Sequence, residues 1–180
     1  MKLKILAEIL SILEEKEIER GKETFLKRWC FLFSIFCEKR YHLRMKYYTK
    51  FKVRTYECDS YGHVNNANYL NYLEFGRMDY LQQAGFDYQG CVKAGFYLYV
   101  THVDIYYKAS AFFDDELTIE TEPVKIGAVS GQIHQIIRKN DGTVCTEADV
   151  TWASVNSSSG RPARLPAEFM VAGLNPEYNK

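Results

Sequence analysis

The chain has 180 residues, 47% hydrophobic and 15% aromatic, enough apolar material for one substantial core without metals or disulfides. Its 23 basic and 23 acidic side chains balance, and residues 45–180 carry 13 basic against 16 acidic, a net −3; that is not a nucleic-acid footprint. No apolar run approaches the roughly 18 to 20 residues that span a bilayer, and the five cysteines (Cys30, Cys37, Cys58, Cys91 and Cys145) lack CxxC spacing, which favours reduced thiols over a disulfide framework.

In chain order, Leu3, Leu6, Leu10 and Leu13, joined by Ile5, Ile9 and Ile12, repeat at three- and four-residue steps and predict an amphipathic helix broken near Gly21. Residues 25–37 form a second apolar segment, and 38–44 is short and mostly charged or polar. The apolar run at 29–37 sits too far in for a secretory signal, and the glutamates among the first 20 residues argue against a transit peptide. A cytoplasmic protein is expected. Met45 then opens a compact segment, so 1–44 reads as a helical extension, either an appendage or an artefact with Met45 as initiator.

Residues 51–56 are expected to form a short strand, Gly62 a turn, and Asn65 or Asn66 the cap of a helix running toward Ala84 with Gly85 just past its end. Tyr69, Leu70, Leu73, Tyr80, Leu81 and Ala84 make its core-facing stripe. Gly76 inside that helix costs about 1 kcal/mol relative to Ala, which points to close packing against a strand. Four extended segments follow at 96–108, 116–126, 129–139 and 143–156, rich in β-branched and aromatic residues. Asn140-Asp141-Gly142 is a hairpin turn between the last two. In the last strand Val144, Thr146, Ala148, Val150 and Trp152 alternate with Cys145, Glu147, Asp149 and Thr151, giving one packed and one polar face. Ser157 to Gly160 ends the sheet, and residues 170–180 read as a loose tail. Strand, helix and four strands make an α+β domain with the helix on one face of an antiparallel sheet, a description that several folds would satisfy.

Asp59-x-x-Gly62-His63-Val64-Asn65-Asn66-x-x-Tyr69-x-x-Tyr72-x-Glu74, followed by Arg77, resembles the motif of the 4-hydroxybenzoyl-CoA thioesterase-like hotdog proteins at every position. The resemblance covers roughly 46–169. It implies a hotdog fold, with a five-stranded antiparallel sheet wrapped around one long helix. It also implies a homodimer or homotetramer with paired active sites, and hydrolysis of acyl-CoA thioesters. The His-Val-Asn-Asn form is similar to acyl-carrier-protein thioesterases as well, so the carrier is left open.

Thioester hydrolysis needs an attacking oxygen and donors for the oxygen that turns negative. Asp59 is the candidate nucleophile or general base, and the bland reading is that it bonds turn amides. Backbone N–H groups at Asn65 and Asn66 are the oxyanion candidates, because orphan donors at a helix N-terminus carry partial positive charge. His63 serves either a proton relay and substrate orientation or a loop hydrogen bond. Glu74 is a second candidate carboxylate, or simply the i,i+3 partner of Arg77. Asn65 and Tyr69 are counted among the substrate-binding positions of the motif. Lys125, Gly127 and Ser130, with Arg138 and Lys139 at the far end of the strand, are candidates for the CoA phosphates; a solvated strand end is the ordinary reading of those charges. No HxxxH, HExxH or Cys/His cluster, P-loop or dinucleotide fingerprint occurs in the sequence, so no metal or other cofactor is expected. The rivals are a non-catalytic acyl-CoA sensor using 1–44 as its interaction element, and a hotdog hydratase, which calls for a different Asp and His arrangement.

Overall fold

A computed structural model of the chain describes residues 45–176. The helix and apolar segment expected in 1–44 lie outside the described residues, as do Cys30, Cys37 and residues 177–180. In order come β1 (Tyr47–Lys52), α1 (Asn66–Gln83), α2 (Tyr88–Lys93), β2 (Phe96–Tyr107), β3 (Glu116–Ile126), β4 (Ser130–Lys139), β5 (Val144–Asn156) and β6 (Arg161–Pro162). The sheet runs β1-β3-β4-β5-β2 with every pairing antiparallel, and the two-residue β6 adds to the end of β5. The sheet therefore has five long strands, as expected, and one short extra.

The first strand lies earlier than its expected place at 51–56. Tyr47 and Thr49 turn inward while Tyr48 and Lys50 face solvent, so the alternation that pairs with β3 begins at Tyr47, and Thr55–Glu57 is a 3-10 turn instead. The helix begins and ends as the sequence indicates. Asn65 caps it by accepting the Ala67 N–H at 3.0 Å. At the other end Gly85, at φ +75, lets its own N–H reach Gln82 O and the Phe86 N–H reach Leu81 O, the paired bonds of a Schellman stop.

The buried face of α1 is Tyr69, Tyr72, Leu73, Gly76, Tyr80 and Leu81. Leu70, expected inside, is exposed, and Tyr72 takes its place. Two apolar clusters flank this helix. One gathers Tyr69, Tyr72 and Leu73 with Val53, Leu117, Ile119, Ile137 and Ala148; the other gathers Tyr80 and Leu81 with Tyr47, Ile133, Trp152, Phe169 and Leu174. Between them Gln135, fully buried, donates to Leu73 O and Thr121 Oγ1 and accepts from Arg77. At that level a Cβ on Gly76 would stand 2.7 Å from Ile119 Cγ2, the close strand contact the sequence suggests. β5 alternates as expected from Thr146 to Trp152.

The expected loose tail is not loose over 170–176. Leu174 is buried and Tyr80 donates its hydroxyl to Gly173 O at 2.9 Å. No described helix is long and apolar enough to cross a membrane, and Cys58, Cys91 and Cys145 are free thiols.

Candidate active site

The segment entering the motif is fixed before the turn begins. Val53 is buried, and a bridge between Cys58 and Val64 brings the two ends of the Asp59 loop together. The Asp59 N–H donates to His63 O at 2.9 Å and the Gly62 N–H to Asp59 O at 3.0 Å. Gly62 sits at φ +82, and a Cβ there would meet nothing within 4 Å, so glycine is required by backbone conformation rather than by space.

Within this turn the two oxygens of Asp59 have different surroundings. Oδ1 accepts the Tyr61 N–H at 2.9 Å, an Asx-type bond that fixes the carboxylate. Oδ2 has no hydrogen bond to the described residues and stands 3.6 Å from His63 Nδ1. The turn-amide bond expected of an Asp here is made by Oδ1, and Oδ2 is left for other partners. His63 Nδ1 also lies 3.2 Å from Val64 O, and its ring stacks on Tyr61.

The helix N-terminus is the other half of the site. The Asn65 N–H is committed to Glu57 O at 2.9 Å, so Asn65 serves as the cap and not as an oxyanion donor. The Ala67 N–H goes to Asn65 Oδ1 and the Asn68 N–H to Asn65 O. That leaves the Asn66 N–H without an acceptor among the described residues, at a helix end whose first turn holds no acidic residue. The macrodipole is not offset there by a helical side chain.

Three tyrosine hydroxyls hold this N-terminus in place. Tyr69 Oη accepts the Ala111 N–H at 3.1 Å, Tyr72 donates to Glu57 Oε2 at 2.9 Å, and Tyr107 donates to Asn66 O at 3.1 Å. Burial, then the Glu57 bond, pushes the Tyr72 phenol up from its ordinary range; burial raises Tyr69 too, against the Ala111 N–H. Glu57, Tyr72 and Tyr107 were not expected to support the site. An acidic residue two before Asp59 was the available signal for Glu57, and the second motif tyrosine was the signal for Tyr72.

Asp59, His63, Asn66, Tyr69, Tyr107 and Lys108 are among the residues around an open cleft of about 430 Å³, a size suited to a small-molecule group. A larger groove of about 660 Å³ lies elsewhere, between Phe75 and Gln89. Glu74 is not brought to the Asp59 cleft within one chain. It lies eight residues along α1 from Asn66, about 12 Å by helical rise, and pairs with Arg77. Gly127 lies in the β3–β4 turn, flanked by Lys125 near the end of β3 and Ser130 at the start of β4 and closed by the Gly127 N–H to Ser130 O. That turn is at the opposite end of β3 from the cleft, roughly 30 Å away at strand rise. Arg138 and Lys139 lie at the cleft end, Lys139 paired with Asp115.

The sequence matches the Thioesterase-like superfamily over residues 53–173. The chain belongs to that family. It is 31% identical over 122 residues to the long-chain acyl-CoA thioesterase FadM of Escherichia coli K12, covering 67% of this chain and 92% of that protein. It is 29% identical over 124 residues to the acyl-CoA thioester hydrolase YbgC of Escherichia coli O6:H1, covering 68% and 92%. The crystal structure of a DHNA-CoA thioesterase from Staphylococcus aureus superposes with a TM-score of 0.64 at 25% identity, covering 67% of this chain and 80% of that one. This thioesterase-family chain has the hotdog architecture, a curled antiparallel sheet around one long helix.

Proposed function

We propose that this protein hydrolyses acyl-CoA thioesters in the cleft beside Asp59. The observation that carries the reading is that Asp59 Oδ2 and the Asn66 N–H, each without a hydrogen-bond partner among the described residues, belong to one cleft. A thioester carbonyl oxygen held at Asn66 N–H would meet positive potential as it turns negative. Asp59 then either attacks the carbonyl carbon, expelling the CoA thiolate and leaving a mixed anhydride for water to open, or takes a proton from the water that attacks. Both routes consume one water and release a carboxylic acid and a thiol. His63 orients the carboxylate or the substrate, Tyr69 walls the cleft, and no cofactor takes part.

Two features support a homodimer. β2 is an edge strand that pairs with β5 alone among the described strands, and an open 12-residue edge invites pairing with another copy. An antiparallel two-fold pairing would set the Phe96 end of one β2 beside the Tyr107 end of the other. The Lys125, Gly127 and Ser130 turn of one copy would then approach the Asp59 cleft of its mate, and Glu74 would come toward it too. Lys93, Lys125, Arg161 and Arg164 have no ion pair among the described residues, which suits that end to the CoA phosphates. The setting is cytoplasmic, with fatty acyl or aryl acyl thioesters as substrates and acyl carrier protein as the alternative carrier.

The test is thiol release from short, medium, long and aryl acyl-CoAs by wild type and Asp59→Asn, alongside solution mass. Turnover should fall by roughly 10²- to 10⁴-fold in the variant. An Asp59→Asn protein that keeps its turnover would end the assignment.

A further inference from the structure

Glu57 is the one charged residue among the buried described residues, at 7% exposure. A buried carboxylate is costly unless hydrogen-bonded, and here each bond leads to the catalytic layout. Oε2 accepts the Arg54 N–H at 2.6 Å and the Tyr72 hydroxyl at 2.9 Å. The Arg54 guanidinium is 4.0 Å from Oε1. The carbonyl of the same residue accepts the Asn65 N–H at 2.9 Å and Asn68 Nδ2 at 2.8 Å. One residue therefore ties the chain entering the Asp59 turn to the cap, the first turn and the second turn of α1.

We infer that Glu57 is a positioning residue for thioester hydrolysis: its carboxylate, held on Tyr72 in the second turn of α1 and on the Arg54 N–H, steadies the helix start that its main-chain carbonyl holds at Asn65, and so sets where the Asn66 N–H stands relative to the Asp59 carboxylate. The inference rests on the reading of the Asp59 cleft given above. Asp59 lies two residues after Glu57 and Asn66 follows the residue Glu57 holds, so the two groups that must meet one carbonyl take their relative position from residue 57. Displacements of about 1 Å in such a pair reduce rates by about 10²-fold. Glu57 touches no reacting atom, so its loss acts on the geometry of the bound thioester.

The experiment compares steady-state hydrolysis of one acyl-CoA by Glu57→Ala, Glu57→Gln, Tyr72→Phe and Asp59→Asn, well below each melting midpoint. Glu57→Ala and Tyr72→Phe should lower kcat roughly 10- to 100-fold with KM within about threefold. Glu57→Gln should recover most of kcat, because its amide oxygen still accepts from Tyr72 and from the Arg54 N–H. In the Asp59→Asn background, Glu57→Ala should bring no further fall, since residues acting as one unit are not additive. Should Glu57→Ala fail to fold, Tyr72→Phe, which keeps the ring, carries the test. An unchanged kcat in these variants, with turnover abolished in Asp59→Asn, overturns the positioning role alone. Full turnover in Asp59→Asn overturns the cleft and the positioning role together.

Discussion

Replacing Gly76 by alanine opposes two effects whose sizes can be compared. In a bare helix the change would stabilise by about 1 kcal/mol, because glycine loses more backbone freedom on folding. In this helix the new methyl would stand 2.7 Å from Ile119 Cγ2 and 3.1 Å from Gln135 Nε2. Neither neighbour can retreat: Ile119 is fully buried, and Gln135 is held by Leu73 O and Thr121 Oγ1. Overpacking of this kind costs about 1–3 kcal/mol, and with two immobile neighbours the upper half of that range applies. The net expectation is a loss of about 1–2 kcal/mol. Urea unfolding followed by tryptophan fluorescence reads it as a midpoint lowered by roughly 0.5–1 M, taking a slope of about 2 kcal/mol per M. A variant with a raised midpoint would show that the helix does not approach β3 this closely.

Leu174→Ala should cost about 2–5 kcal/mol as a core truncation, measured by thermal melting; a melt unchanged from wild type would mean that 170–176 is the free tail the sequence suggests. Alkaline pH should destabilise the fold. Burial raises the Tyr69, Tyr72 and Tyr80 phenols, so their contribution is complete below the unfolded value of about 10 and is lost as pH rises toward the folded values. Melting midpoints taken from pH 8 to 11 should fall above about pH 10, and less so for Tyr72→Phe; a flat profile would contradict the burial of these hydroxyls.

The elements written in local chemistry were legible in the sequence. Asn65 caps, Gly85 stops the helix, Asn140-Asp141-Gly142 turns the chain, and the β3, β4 and β5 strands follow two-residue alternation, because each is decided by neighbours a few residues away. The juxtaposition of the Asp59 turn with the helix start at Asn66 was legible as well, since the two are contiguous in the chain. Tyr72 and not Leu70 lies inside because it continues the 69, 73, 76 and 80 stripe at three- and four-residue steps; what only the tertiary structure supplies is the buried Glu57 carboxylate that its hydroxyl meets. What else failed locally was decided at long range. The first strand began at Tyr47 because β3 supplies the ladder there, and 170–176 became ordered because Tyr80 reaches Gly173 from another part of the chain. The separation of Asp59 from Lys125, Gly127 and Ser130 is also a tertiary result. Sequence lists a carboxylate and a basic turn together, and strand direction places them at opposite ends of the sheet within one chain, so a shared site needs a second copy.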